Sequence, residues 1–197
     1  MQYNKFIFVI LTGFILGCNS SEQNHFELHP KTEVSTVLSD ALVLNKNKGI
    51  VFYNGQLFTG TAISKYPNDS IASSIDYVNG KKEGIYRKWF QNGKLSFEAN
   101  YVNGKQHGKT YTWWSNGNLR TTSNFANGIP DGEQLQYYKS GSLFKKIQLV
   151  KGKEEGLQQS WRENGKLYNN YEAKNGRIFG LKRSKLCFKL DDEEVQY

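Results

Sequence analysis

Residues 77–100 read YVNGKKEGIYRKWFQNGKLSFEAN, and residues 101–124 repeat the same pattern as YVNGKQHGKTYTWWSNGNLRTTSN. The similarity continues outward at a period of 24 residues and is marked by three columns of glycine. These columns are Gly80, Gly104, Gly128, Gly152 and Gly176; Gly60, Gly84, Gly108, Gly132, Gly156 and Gly180; and Gly93, Gly117, Gly141 and Gly165. Self-similarity at a fixed period is typical of repeat architectures, in which each unit contacts mainly its neighbours.

Each unit has the sequence pattern of a β-hairpin. In the unit quoted first, Gly84 to Gln91 is predicted to form one strand, Asn92-Gly93 the turn and Lys94 to Val102 the return strand. Asn-Gly suits a two-residue type I′ turn, because that turn needs positive φ at both positions. The segments that join units, such as VNGKKEG at 78–84, are interpreted as longer connections. The sequence therefore predicts an all-β fold, an elongated antiparallel β-meander of about five 24-residue hairpin repeats.

The predicted turn fixes which residues face each other across a hairpin. A turn at Asn92-Gly93 places large side chains opposite glycine, an arrangement that covers bare backbone in a sheet. The expected pairs in this unit are Arg87 with Glu98, Tyr101 with Gly84, Phe90 with Leu95, and Trp89 with Ser96. The expected pairs in later units are Phe125 with Gly108, Leu149 with Gly132, Trp114 with Leu119, Tyr138 with Leu143, and Trp113 with Arg120.

Two columns of large residues follow from this register. Phe90, Trp114 and Tyr138 are predicted to form the packed face, over the leucines of the return strands. The other face is the candidate binding face, where aromatic rings would stand ~10 Å apart and flanking arginines would attract anionic groups. Its residues are Trp89, Trp113, Tyr137, Trp161, Arg87 and Arg120. The alternatives are that both columns simply hold the sheet together, or that this face packs against a second layer or a dimer mate.

The beginning of the chain has the pattern of an export signal. Lys5 precedes an apolar run from Phe6 to Leu16, which is too short to span a bilayer. The run ends Ile15-Leu16-Gly17-Cys18, which resembles the lipobox of bacterial lipoproteins. The resemblance implies cleavage before Cys18 and acylation of that residue, which would anchor the protein to a membrane. An ordinary secretory signal with an incidental cysteine is the alternative.

The expected organisation of the chain therefore has four parts. They are a lipoprotein signal peptide at 1–17, a polar tether at 18–47, the hairpin repeat array at 48–181, and a C-terminal cap with an acidic tail at 182–197. The mature chain would carry 25 basic and 18 acidic residues, a net charge of about +7. That charge suits contact with anionic surfaces, and the alternative is a solvated surface rich in lysine.

The repeat unit, with its paired aromatic residues, N-G, and closing Y-x-N-G-K-x-x-G, resembles the bacterial MORN-repeat variant found in proteins named YwqK-type antitoxins. The resemblance covers roughly Tyr53 to Gly180. From the lipobox, the tether and the long regular sheet face, we expect a non-enzymatic binding scaffold that is lipid-anchored at the bacterial envelope, in the periplasm or on the outer surface. Its ligand would be a protein, a glycan or an anionic headgroup, and oligomerisation stays open. The alternative function that the resemblance implies is an antitoxin or immunity-type inhibitor.

The sequence offers no reaction centre. His25 and His29 are four residues apart, but a zinc-protease motif needs Glu directly after the first histidine, and no other metal site is predicted. No G-x-S-x-G nucleophile elbow and no phosphate-loop pattern are present. We therefore expect no catalytic residues and no cofactor. Export across a membrane also argues against a nucleic-acid partner, although a basic sheet with aromatic rings could stack bases.

Overall fold

The computed structural model describes residues 35–181, and nearly all regular structure in that range is β-strand. One short 3-10 helix, Ser39–Ala41, lies between the first two strands. The strands are β1 Thr36–Leu38, β2 Val43–Asn45, β3 Ile50–Tyr53, β4 Gln56–Leu57, β5 Gly60–Lys65, β6 Ile71–Val78, β7 Lys81–Trp89, β8 Leu95–Val102, β9 Lys105–Trp113, β10 Leu119–Ala126, β11 Ile129–Pro130, β12 Gly132–Tyr137, β13 Leu143–Val150, β14 Lys153–Glu154, β15 Gly156–Trp161, β16 Leu167–Lys174 and β17 Arg177–Leu181. The predicted signal peptide, Cys18, the first part of the tether, and the cap at 182–197 lie outside the described residues.

Consecutive antiparallel hairpins build one long sheet. Within residues 35–181 this sheet has 14 strands, in the order β1-β5-β6-β7-β8-β9-β10-β12-β13-β15-β16-β17, with β11 on β10 and β14 on β13. Five hairpins, β5–β6, β7–β8, β9–β10, β12–β13 and β15–β16, repeat the pattern expected from the sequence. The predicted all-β meander is therefore confirmed.

The tight two-residue turns join the repeats instead of closing the predicted hairpins. Asn79 has a φ of 49° and Gly80 a φ of 76°, and Val78 pairs directly with Lys81 across them. Positive φ at both central positions is the requirement of a type I′ turn. Equivalent turns occur at Asn54-Gly55, Asn103-Gly104, Asn127-Gly128, Lys151-Gly152 and Asn175-Gly176. The interpretation of these segments as longer connections is wrong.

The Asn92-Gly93 loop is a different turn from the one predicted. Gly93 has a φ of 79°, but Asn92 is not among the residues with positive φ. The Gly93 amide donates to the Phe90 carbonyl at 2.9 Å, and the Phe90 amide donates to the Lys94 carbonyl at 2.8 Å. This pattern fits a three-residue loop, a type I turn followed by a glycine in a bulge. The Asn92 side-chain oxygen accepts the Lys94 amide at 3.1 Å, so this asparagine stabilises the loop through its side chain.

The extra loop residue shifts the register by one position at the end of each hairpin. Gly84 pairs with Tyr101 and Arg87 with Glu98, as predicted, but Trp89 then pairs with Leu95. Later hairpins confirm Phe125 opposite Gly108 and Leu149 opposite Gly132. The predicted pairs Phe90–Leu95, Trp89–Ser96, Trp114–Leu119, Tyr138–Leu143 and Trp113–Arg120 are wrong, because Trp113 pairs with Leu119 and Tyr137 with Leu143.

A glycine bulge bends the first strand of each repeat. Between the pairs Asp76–Glu83 and Ser74–Arg87, three residues of β7 lie opposite the single residue Ile75. The first of these three, Gly84, has a φ of 71°, a left-handed value that favours glycine. The bulge leaves backbone groups outside the regular ladder, and later repeats satisfy them with a buried glutamine. The Gln158 side chain accepts the Gln148 amide at 3.0 Å and donates to the Gln148 carbonyl at 2.8 Å.

The main apolar core lies at the N-terminal end of the sheet. The buried side chains of Val51, Phe58, Ala62 and Ile75 form it, and we call this group the N-terminal core. Val51 belongs to β3 of the second sheet, a three-stranded sheet formed by β2, β3 and β4, and Phe58 comes shortly after β4. The segment from Thr36 to Asn45, the end of the predicted tether, contributes β1, which pairs in parallel with β5, and β2. Further along the array, buried positions include the polar residues Thr110, Gln134, Gln158 and Ser160.

Candidate functional site

The candidate binding residues occupy one repeated position in the fold. Trp89, Trp113, Tyr137 and Trp161 are each the last residue of the first long strand of a hairpin, and each pairs with the first leucine of the return strand. All four are half-buried. We call the sheet face that carries them the tryptophan face. The column predicted from the sequence therefore exists as a column of equivalent positions, with leucine neighbours where serine and arginine were expected.

The neighbouring aromatic column links each repeat to the next. The Tyr138 hydroxyl donates to the Trp161 carbonyl at 2.9 Å, and the Tyr66 hydroxyl donates to the Trp89 carbonyl at 2.7 Å. Trp114 does the same through its indole N–H, 3.2 Å from the Tyr137 carbonyl oxygen. These side chains therefore hold the strand ends that carry the tryptophan face, which is a structural role.

A small cavity opens beside Trp89. It has a volume of about 350 Å³. Its lining residues are Ser74, Asp76, Gly84, Ile85, Arg87 and Trp89. Ile85 is exposed, and Asp76 accepts a 2.7 Å hydrogen bond from Thr61 with one carboxylate oxygen. The cavity thus combines an indole ring, an aliphatic side chain and groups of both charges, which is the mixture of apolar and polar lining that small-ligand sites use.

Both arginines that were expected to attract anions have partners. The Arg87 guanidinium lies 2.7 Å from the Glu98 carboxylate in a pair whose two side chains are partly exposed. The Arg120 guanidinium lies over the Trp114 ring, 4.6 Å from its centroid. On the same face, Lys146 pairs with Glu133 at 2.6 Å. Carboxylates therefore neutralise Arg87 and Lys146 on this face, whereas Arg120 contacts an aromatic ring and keeps its charge.

The aromatic surface extends further than the sequence indicated. The Tyr111 ring stacks on the Trp113 ring with centroids 5.9 Å apart and an angle of 30° between the planes. Tyr111 is two positions before Trp113 on the same strand, so it points to the same side of the sheet. That alternation was the available signal, but the other repeats lack a second aromatic residue at this position, so the 24-residue period does not reveal it.

A second cluster lies where the sequence analysis placed no site. We call it the lysine–tyrosine cluster, and its members are Lys82, Tyr86, Lys88, Phe97 and Tyr101. The Lys82 ammonium lies 5.0 Å from the Tyr86 ring centroid and 5.1 Å from that of Tyr101. The Lys88 ammonium lies 5.2 Å from the Tyr86 centroid and 5.7 Å from that of Phe97.

Burial changes the acid–base behaviour of the cluster. It lowers the pKa of the Lys82 ammonium, and the nearby positive charge of Lys88 lowers that pKa further. It also raises the pKa of Tyr101, because a buried phenolate loses its hydration, and the neighbouring Tyr86 adds to this effect. Tyr86 on β7 pairs with Ala99 on β8. Phe97 and Tyr101 lie two residues to either side of Ala99, so their side chains are on the same face as Tyr86 and close to it.

Neither a metal centre nor a spanning helix is found in the described range. Among residues 35–181, no three His, Cys, Asp or Glu side chains come together in a way that could hold a metal ion. In the same range, no helical segment has the length and apolar character needed to cross a bilayer.

Comparison with known proteins identifies the repeat type. Residues 82–103, 106–127 and 130–151 match the MORN repeat variant. The first two matched segments start just inside the first strand of a hairpin, and the third starts at Pro130 in β11, just before β12. All three end at the first residue of the next type I′ turn, so the matched unit is one hairpin. No curated protein matches the chain. The chain thus contains MORN-variant repeats, a repeat type that points to a binding scaffold and not to a catalyst.

Proposed function

We propose that this protein is a non-enzymatic, lipid-anchored scaffold of the bacterial envelope that binds its ligand on the tryptophan face. One observation carries the proposal: four large aromatic side chains occupy equivalent strand ends and stay half-exposed, although neighbouring side chains already hold the fold together.

The chemistry of this face favours a glycan over an anionic headgroup. The Arg87–Glu98 and Lys146–Glu133 pairs cancel much of its charge, so attraction for a phosphate is weak. Trp89 and Asp76 line the same cavity, and a carboxylate can accept hydrogen bonds from sugar hydroxyls while an indole ring packs against the apolar side of the sugar. Rings on every second strand recur at ~10 Å, a spacing that suits a ligand with a repeating structure.

The proposed lipid anchor is inferred from the lipobox-like sequence that ends at Cys18, and the proposed location at the envelope follows from that anchor. Acylation at this position would tie the N-terminal end of the chain to a membrane. The antitoxin alternative rests on the resemblance alone, and no contact within residues 35–181 favours it.

The binding proposal is tested with the full chain carrying Cys18→Ser, which removes the acylation site. This protein is applied to an array of bacterial glycans, and the same array is probed with Trp113→Ala and with Phe179→Ala. Phe179 is an exposed aromatic residue outside the column and serves as the matched control. We expect Trp113→Ala to lose most of the binding with its melting temperature nearly unchanged, and Phe179→Ala to bind normally. A large fall in melting temperature for Trp113→Ala would instead make the column part of the core.

The anchor is tested separately by fractionation of cells. The wild-type protein is expected in the membrane fraction, and the Cys18→Ser form in the soluble fraction. A Cys18→Ser protein that stays with the membranes in high salt would contradict the anchor and leave the glycan proposal intact.

A further inference from the structure

The lysine–tyrosine cluster is a group of positive charges with no negative partner. Within residues 35–181 neither Lys82 nor Lys88 forms an ion pair, whereas Arg87, which lies between them in sequence on the opposite face, is paired with Glu98. Lys82 is half-buried, and a cation that loses hydration without a counter-charge is unfavourable. The ring faces of Tyr86 and Tyr101 compensate only part of this loss, since a cation–π contact contributes about 0.5–2 kcal/mol.

The two ammonium groups are arranged around one ring. Both lie close to the Tyr86 ring, at 5.0 Å and 5.2 Å from its centroid, so the two nitrogen atoms are at most about 10 Å apart, the sum of those distances. Tyr86 and Tyr101 pack against the N-terminal core, which fixes the rings that position the lysines. The tyrosine rings of the cluster are therefore held in place by their packing against the N-terminal core.

We propose that the lysine–tyrosine cluster binds a phosphate-type oxyanion, with Lys82 and Lys88 as the charged contacts and Tyr86 between them. A phosphate group carries up to two negative charges and several acceptor oxygens, so it can be shared by two ammonium groups. A linked pair of phosphates, as in pyrophosphate, is long enough to contact two nitrogens that lie up to about 10 Å apart. The site lies on the opposite side of the sheet from the tryptophan face, so the two sites are independent.

The charge state of the cluster gives the proposal a spectroscopic readout. A bound anion would offset the repulsion between Lys82 and Lys88 and return the pKa of Lys82 towards its ordinary value. A lysine that only packs against tyrosine rings would show no such change when phosphate is added.

The test uses the full chain with Cys18→Ser and inorganic pyrophosphate as the probe. Binding is measured by calorimetry at low salt, and the Lys82 amine is titrated by NMR with and without the probe. The variants are Lys88→Gln, Lys82→Gln and the double substitution, and the control is Lys109→Gln, which removes an exposed lysine of β9. We expect each single variant in the cluster to weaken binding about tenfold or more, because a charged hydrogen bond is lost. We expect Lys109→Gln to have little effect.

The outcomes separate the possibilities. Absence of pyrophosphate binding by the Cys18→Ser protein, or equal losses in Lys88→Gln and Lys109→Gln, would overturn the proposal. Lys88 is exposed, so Lys88→Gln keeps the test valid even if Lys82→Gln does not fold. Vesicles of phosphatidylglycerol, compared with phosphatidylcholine, identify the source of the phosphate. Loss of vesicle binding in the cluster variants assigns the site to a lipid headgroup, and loss of pyrophosphate binding alone assigns it to a soluble ligand.

Discussion

The hydroxyl of Tyr138 donates a 2.9 Å hydrogen bond to the backbone carbonyl of Trp161, a residue of the next hairpin. Tyr66 and Trp114 make the corresponding bonds to the carbonyls of Trp89 and Tyr137. The repeats are therefore joined by side chains as well as by the backbone ladder. In the series, Phe90 has no donor and cannot form the bond to the next repeat.

This series predicts opposite effects for two substitutions. Tyr138→Phe should destabilise the protein by about 1 kcal/mol, because a partly buried hydrogen bond is lost. Phe90→Tyr places a hydroxyl at the equivalent position and should stabilise by up to about 1 kcal/mol. Both effects are measured as shifts of the urea midpoint, provided that the dependence of the free energy of unfolding on urea concentration is the same in each protein. If the two variants unfold at the wild-type midpoint, the side-chain bonds between repeats contribute nothing to stability.

In the type I′ turn at Lys151-Gly152, a lysine occupies a left-handed backbone position that lysine adopts less readily than asparagine. Lys151 has a φ of 49°, whereas asparagine occupies this left-handed position in the other five turns of the series, which include Asn103 and Asn127. Asparagine tolerates that conformation better than lysine does. Lys151→Asn should therefore raise the free energy of unfolding by about 0.5–1 kcal/mol, measured as a higher melting temperature. Lys153→Asn, two residues later in β14, is the control and should not stabilise.

Substitution of Gly93 tests the cost of a positive φ alone, because a Cβ atom at this position would meet no neighbouring atom. Its φ is 79°, and nothing lies within 4 Å of the position that a Cβ atom would occupy. Gly93→Ala should destabilise by about 1–2 kcal/mol, because alanine is strained at this φ. Gly93→Asn should cost less, since asparagine accepts positive φ. Equal melting temperatures for alanine and glycine at this position would show that the loop relaxes into another turn.

The raised pKa of Tyr171 predicts that the protein loses stability at alkaline pH. Burial, together with the 3.0 Å hydrogen bond from its hydroxyl to Glu154, raises the pKa of Tyr171 to about 12. In the unfolded chain the pKa is about 10, so the folded state holds the proton more tightly. This contribution is fully present below pH 10 and is lost as pH rises towards 12.

The matched variant is Tyr171→Phe, which removes the titrating group. The difference in free energy of unfolding between wild type and variant should be constant up to about pH 10 and shrink above it. A difference that stays constant to pH 12 would mean that the phenol ionises as easily in the folded protein as in the unfolded chain.

The repeat period predicted the number of hairpins and most of their register, because Tyr101 opposite Gly84 and Arg87 opposite Glu98 depend only on where the loop is centred. The pairs next to the loop were wrong by one residue. Asn-Gly occurs both at 79–80 and at 92–93, and the dipeptide alone does not distinguish a type I′ turn from a type I turn with a bulge. The pattern of hydrogen bonds around Phe90 makes that distinction.

The predicted pairing of Gly108 with Phe125 and of Gly132 with Leu149 would require glycine if the opposite side chain filled the space above it. Phe125 does face Gly108, yet no atom lies within 4 Å of a Cβ at Gly108. The requirement comes from a φ of 76°, which depends on the bulge and therefore on both strands. The lysine–tyrosine cluster was missed for a similar reason. Alternation places Lys82 and Tyr86 on one side of β7 but about 13 Å apart along an extended strand, so it does not predict the contact that they make across the bulge at Gly84.

The position of the N-terminal core has a mechanical consequence. Val51, Phe58, Ala62 and Ile75 give the first hairpins apolar packing, while later ones bury polar side chains such as Gln158. Because a buried hydrogen bond contributes less net stability than a buried apolar side chain, the array should yield unevenly under load. A pull applied at β17 in an optical trap would peel hairpins away one at a time at low force and stop at the first repeats. The protein would thus behave as an extensible strap whose fixed end is the one that follows Cys18 in the chain.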